Sequence, residues 1–226
     1  MTTTKSRKIF KTIYLVGLTF ALLAGSTAAD AQNRDEQWEF TLGTFYQFSN
    51  DLEFEGGTTA ETDGELGFKM GFGYNMTDKF AVNFGFNYDS VGYNANVIED
   101  DGDSSRISGK MDNWVLSVNA IYHFSDGPLT PYVGAGIGWT WVDTNIPDGL
   151  PSTGCWWDPW WGWVCATSYP TKTKSAFFYQ ATIGLRYEFN YSTFMRFNYS
   201  SQWLDFGNAT STPRYDVLGL DIGWMF

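Results

Sequence analysis

From Glu65 to Met76 the chain alternates without a break. Leu66, Phe68, Met70, Phe72, Tyr74 and Met76 fall on one face, and Glu65, Gly67, Lys69, Gly71, Gly73 and Asn75 on the other. Successive side chains of a strand point to opposite sides, whereas a helix would scatter this set around its axis. The period therefore dictates a β-strand, one that opposes bulky apolar residues to glycine and polar ones. The same alternation predicts eight strands: Trp38–Phe48, Glu65–Met76, Phe80–Asp89, Met111–Phe124, Pro131–Val142, Ser175–Phe189, Thr193–Trp203 and Tyr215–Phe226. Short connections fall near Thr77-Asp78, Ser125-Asp126-Gly127 and Asn190-Tyr191-Ser192. Long ones fall over 49–64, 90–110, 143–174 and 204–214. An even number of strands, with short turns on one side and long loops on the other, is the layout of an eight-stranded antiparallel transmembrane β-barrel whose short turns are periplasmic.

A soluble barrel of the lipocalin type would have the same number of strands with its apolar face inward. Here the apolar face carries Phe, Tyr, Trp, Leu and Met. The opposite face carries Gly43, Gly71, Gly85, Gly134, Gly136, Gly219 and other glycines among Asn, Gln, Thr and charges. An eight-stranded barrel has room inside for modest side chains only. Small and polar residues therefore belong inside and bulky apolar ones in lipid. Aromatic residues make up 19% of the chain. They gather beside the short turns (Trp38, Tyr74, Phe80, Tyr122, Phe189) and beside the long loops (Tyr46, Tyr88, Trp139, Trp141, Trp203), as two interfacial girdles would.

Residues 1–31 read as a cleaved signal peptide and 32–226 as the barrel domain. Lys5, Arg7, Lys8 and Lys11 precede an apolar run from Ile13 to Leu23, which is shorter than the ~20 residues of a spanning helix. Ala29-Asp30-Ala31 then fits a small-x-small cleavage site. The precursor has 14 basic and 25 acidic residues. Removing four basic residues and Asp30 leaves 10 and 24, a balance of −14. So acidic a chain lacks the basic face that nucleic acid requires.

Two stretches carry a resemblance. Phe226, with Trp224, Ile222, Leu220 and Leu218 alternating before it, resembles the last-strand signal of bacterial outer-membrane barrels, which the barrel-assembly machinery reads. The run TPYVGAGIGWTW, Thr130 to Trp141, resembles the fifth strand of small barrels related to the OmpA transmembrane domain and to OmpW. The resemblance implies residence in the outer membrane, among its lipid and lipopolysaccharide. It also implies a role in envelope integrity, adhesion or passage of small solutes. No peptidoglycan-binding domain of the OmpA kind is expected.

No motif calls for a cofactor or a metal. Gly134-x-Gly136-x-Gly138 lies on one strand face and opens no helix, so it reads as inward packing and not as a nucleotide loop. The acidic stretch Glu99–Asp103 lacks EF-hand spacing, and His123, the one histidine, has no zinc-like spacing to the cysteines. His123-Phe124-Ser125 resembles the His-x-Ser pair of outer-membrane lipid A deacylases. It adjoins a periplasmic turn, on the wrong side for an outer-leaflet lipid, so no catalytic residue is assigned and the chain is read as non-enzymatic. The inward charges are Glu39, Lys69, His123, Arg186, Glu188, Arg196 and Asp221. A cluster of Glu39, Lys69, Arg186, Arg196 and Asp221 is expected, with Arg186, Arg196, Glu39 and Asp221 at similar depth, because charges in a narrow lumen must pair.

The fifth connection reads GCWWDPWWGWVC and holds five of eleven tryptophans. Cys155 and Cys165, an even pair in an exported chain, are expected to form a disulfide on the extracellular side, closing a ring worth roughly 3 kcal/mol. Trp156, Trp157, Trp160, Trp161 and Trp163 then have two readings: packing on the barrel rim and lipopolysaccharide, or contact with a host surface, a glycan or a neighbouring membrane. For the whole chain, a structural or surface-interaction role leads. A narrow channel for ions or small apolar solutes is the alternative.

Overall fold

A computed structural model describes residues 33–53, 59–98, 104–205 and 212–226. The proposed signal segment, the acidic stretch Glu99–Asp103 and most of the 204–214 loop lie outside the described residues. Twelve strands run β1 (Trp38–Gln47), β2 (Asn50–Glu53), β3 (Thr59–Thr62), β4 (Glu65–Asn75), β5 (Phe80–Ile98), β6 (Ser104–His123), β7 (Leu129–Pro147), β8 (Ser152–Asp158), β9 (Gly162–Ser168), β10 (Thr171–Asn190), β11 (Thr193–Asp205) and β12 (Arg214–Met225).

Eight of these close a barrel. The hydrogen-bonded order β5-β4-β1-β12-β11-β10-β7-β6 returns from β6 to β5, every pairing antiparallel. The seam between β1 and β12 ends in a reciprocal backbone pair: Trp38 N donates to Phe226 O, and Phe226 N to Trp38 O, both at 3.0 Å. A closed ring leaves no barrel strand edge unpaired, which a bilayer core requires.

The structure corrects three loop expectations. The connections over 90–110 and 143–174 are largely sheet: β5 and β6 stay paired as far as Ile98↔Ser104, and β7 and β10 as far as Pro147↔Thr171. Lipid enforces apolar alternation only where it touches the strands. Above the interface Tyr93-Asn94-Ala95 pairs as sheet without an apolar stripe, so the period signal fades while the ladder continues. Residues 49–64 likewise contain the β2–β3 ladder, which extends β5 through Thr59↔Asn96.

The faces point as the alternation requires. Leu116, Ile137 and Ile183 are half or more exposed on the outside, and Glu39, Arg186, Arg196 and Asp221 are buried within. Rings pair along both girdles: Trp38 lies 4.7 Å from Tyr74, Tyr122 5.5 Å from Phe124, Tyr88 4.7 Å from Trp114 and Tyr179 5.3 Å from Trp203. Edge-to-face and offset pairs of this kind are favourable beyond their area.

The expectation of a lumen filled by small and polar residues needs a second correction. Phe45, Tyr132, Phe178 and Phe194 also point inward and are buried. Each stands directly opposite a glycine on the neighbouring strand: Phe45↔Gly67, Phe178↔Gly138, Tyr132↔Gly184 and Phe194↔Gly223. A Cβ on any of these glycines would strike the facing ring. Glycine on one strand thus makes the space that a ring on the next occupies, and the lumen is packed by cross-strand pairs.

Candidate functional site

The lower lumen is assembled from one row of register partners. Arg186 on β10 faces Arg196 on β11, which faces Asp221 on β12, which faces Gly43 on β1, which faces Lys69 on β4. Gly43 has no side chain to separate its neighbours, so Lys69 Nζ reaches Asp221 Oδ1 across it at 2.8 Å. Arg186 crosses the lumen to Glu39 Oε1 at 2.6 Å and also binds Glu188 Oε1 at 2.7 Å. Arg196 lies 3.8 Å from both Glu39 and Asp221. The Arg186 guanidinium stacks on the Phe194 ring at 3.7 Å. The five residues of the expected cluster therefore meet, and Arg186, Arg196, Glu39 and Asp221 form one connected network.

Sequence reading missed the residue that caps this network. Arg34 precedes the first strand, where no periodicity marks it, yet it is fully buried. Its Nε donates to Glu188 Oε1 at 2.6 Å. Nη1 donates to the carbonyls of Asp78 and Ser125, and Nη2 to the Gly127 carbonyl and Thr130 Oγ1. All five N–H groups of the guanidinium are thereby matched. Arg34 ties the β4–β5 turn, the β6–β7 turn and β10 into a floor at the short-turn end. Arg34→Ala is expected to destabilise the folded barrel by about 3 kcal/mol, the low end for a broken buried pair, because Arg186 remains on Glu188. Arg34→Lys should recover only part, since an ammonium cannot replace the planar fork. Urea unfolding of the reconstituted protein checks both.

Above this floor the lumen is polar, then apolar. Gln180 donates to Asn119 and accepts from Gln202 at 3.0 Å, and Thr182 meets Ser200 at 2.8 Å. Higher still, a cavity of about 240 Å³ is lined by Val115, Val142, Phe178, Leu204, Tyr215 and Val217, among others. It forms a cup in the loop-side half of the barrel.

His123 is buried on the inner face, and neither ring nitrogen has a hydrogen-bond partner among the described residues. Ser125 Oγ turns to the Leu129 carbonyl and Thr130 Oγ1. The two do not form the bonded base–nucleophile pair that catalysis would need. No group of residues suited to a metal occurs among the described residues.

The tryptophan-rich connection is a hairpin, β8–β9, that forms a sheet of its own. Cys155 and Cys165 are direct cross-strand partners and are joined by a disulfide. At the tip, Asp158 Oδ1 accepts from the backbone N–H of Trp160 at 2.8 Å and of Trp161 at 2.9 Å, and Gly162 takes φ 74°. An Asx turn followed by a left-handed glycine closes the chain on itself. Trp157 and Trp163 pair across the ladder, ring centroids 6.1 Å apart. All five indoles are 49–85% exposed. Trp224 and Phe226 lie on the outer face at the seam.

Solved structures that share this architecture include two outer-membrane proteins. The outer membrane protein OprG from Pseudomonas aeruginosa is 12% identical, with a TM-score of 0.54 over 88% of this chain and 99% of that one. Neisserial surface protein A is 12% identical, with a TM-score of 0.51 over 84% and 97%. At that identity they show the fold. No curated protein matches the chain. Residues 18–226 match the family model described as outer membrane protein beta-barrel domain, and with its closed eight-stranded barrel, apolar outer face and paired aromatic girdles, the chain belongs to that family and resides in the cell outer membrane.

Proposed function

We propose that the protein is a closed, non-enzymatic barrel with a structural and surface-contact role, anchored by its lipid face and making contact through the β8–β9 hairpin. The observation that carries this reading is the ion network across the lower lumen. Arg34, Arg186, Glu39 and Glu188 are at most 2% exposed and joined at 2.6–2.7 Å, which argues against a continuous aqueous route at that level. In planar bilayers at neutral pH the protein should give no steady openings. Reproducible single-channel steps would overturn the closed reading in favour of a channel.

A second reading rests on the cup of about 240 Å³, whose walls suit a small apolar solute entering from outside. A deletion strain tested for uptake of small apolar toxicants separates the two, since the solute reading predicts reduced uptake and the structural reading predicts unchanged or increased uptake. Residues 1–31 are proposed as the signal removed on export, with Trp224 and Phe226 as the outward pair read by the assembly machinery. The mass of the membrane-inserted protein tests the cleavage after Ala31.

A further inference from the structure

We infer that the β8–β9 hairpin is a membrane-contact element that inserts its indoles into the interface of a second, zwitterionic bilayer facing the cell. The inference rests on the surface-contact reading and names its partner.

The arrangement of the indoles selects a bilayer. Along a strand, alternate residues share a face. Trp157 and Trp163, with the Cys155–Cys165 disulfide beside them, occupy one face. Trp156 and Val164 occupy the other, and Trp160 and Trp161 stand at the tip. A glycan or a protein surface docks on one face and would leave the rest in water. A lipid interface surrounds whatever enters it and can take up indoles from both faces and the tip at once. Trp is the side chain that settles at that depth, its ring in the apolar boundary and its N–H toward the headgroups.

Charge selects the kind of bilayer. The whole chain carries −11, which disfavours anionic lipid and anionic glycans alike. Between Ser152 and Ser168 the only ionisable side chain outside the disulfide is Asp158, and one of its oxygens is engaged by the Trp160 and Trp161 N–H groups. The hairpin offers no cation to attract anionic headgroups, and little charge must be dehydrated when it enters a neutral interface.

Reach selects the second membrane over its own. Trp141 belongs to the outer girdle, opposite Ser175, and the ladder continues to Pro147↔Thr171 before the hairpin departs. Six further residues span about 20 Å along the strand, and about 14 Å in height at a tilt near 45°. The hairpin thus starts above its own interface. The disulfide holds the two arms in register, so little ordering remains to be done on contact.

The test places the full protein in nanodiscs of ordinary lipid and adds vesicles of phosphatidylcholine with dibrominated acyl chains, which quench tryptophan on contact. The six barrel tryptophans, including Trp38, Trp139 and Trp224, report any exchange of lipid between the two. The wild type should be quenched beyond the barrel baseline. Trp160→Ser/Trp161→Ser should weaken the association at least tenfold. Vesicles half composed of phosphatidylglycerol should bind at least fivefold more weakly at low salt. Heat-modified gel mobility confirms that the variant barrel is folded. Quenching that is identical in the wild type and in a variant with all five hairpin tryptophans replaced by Ser would overturn the inference. So would hairpin quenching only by brominated lipid placed in the nanodisc itself. A glycan array read in parallel separates the two levels: tryptophan-dependent glycan binding without vesicle binding refutes the bilayer and keeps the surface contact, and binding to neither refutes both.

Discussion

Arg186→Leu is expected to destabilise the folded barrel by about 3–5 kcal/mol, the range for removing one partner of a buried ion pair. Arg186 is fully buried and its guanidinium serves two carboxylates, Glu39 at 2.6 Å and Glu188 at 2.7 Å. Leucine would leave Glu39 the Asn75 amide and, as cationic partner, only the longer 3.8 Å approach of Arg196. It would also strip the Phe194 ring of the cation stacked on it at 3.7 Å. Glu39→Gln should cost less, because Arg186 keeps Glu188 and the amide still accepts from Asn75, now 2.7 Å from Glu39 Oε1. The control is Arg214→Leu. The Arg214–Asp216 pair at 2.9 Å is half exposed, with 52% and 30% side-chain accessibility, and such pairs are worth about 0–1 kcal/mol. Urea titration of the reconstituted proteins ranks the three. Equal midpoints for Arg186→Leu and Arg214→Leu would mean that the network contributes nothing.

The second large effect concerns the outer face. Ile183 lies mid-strand on β10, 60% exposed, between Val133 on β7 and Tyr199 on β11. Exposure that would be wasteful in water is required in lipid. Arginine at a bilayer midplane on a barrel's outer face costs about 2–4 kcal/mol, so Ile183→Arg should lose that much while Ser168→Arg, in the exposed hairpin, loses nothing measurable. Asn119→Arg should also be costly, by a different route. Asn119 is bonded to Gln180 and crowds Gly136, so a longer side chain has no space in the lumen. Thickening the bilayer with longer acyl chains should change the first penalty and leave the second as it is.

What was legible in the sequence follows from where lipid acts. Each barrel strand begins or ends within a few residues of its expected bound where the chain crosses the membrane: Glu65–Asn75 against Glu65–Met76, and Arg214–Met225 against Tyr215–Phe226. Alternation there is imposed by two solvents, one on each face. Outside the membrane that constraint lapses, and so the outer ends of β5, β6, β7 and β10 read as loops. The pairing of Arg186 and Arg196 with Glu39 and Asp221 was also legible, since strand order fixes which inward charges are neighbours. Arg34 was not, because nothing in a single stretch of sequence says that a residue before the first strand folds under the barrel. The inward rings of Phe45, Phe178 and Phe194 were missed for a related reason. Their glycine partners lie on other strands, and only the register shows that the two match. The disulfide was legible from an even pair of cysteines in an exported chain, whereas the exposure of the indoles beside it was not.

The outward alternate residues of every barrel strand meet lipid, and the glycine, polar and few aromatic residues of the other face meet the lumen. A spin-label scan of β10 tests it most directly. Cys155 and Cys165 would be replaced by Ser and single cysteines placed in turn from Tyr179 to Leu185 in the lipid-reconstituted barrel. Labels at 179, 181, 183 and 185 should show high collision rates with oxygen, which dissolves in lipid, and those at 180, 182 and 184 low ones, with a period of two. A scan in the opposite phase, or one without a period, would contradict the barrel as described.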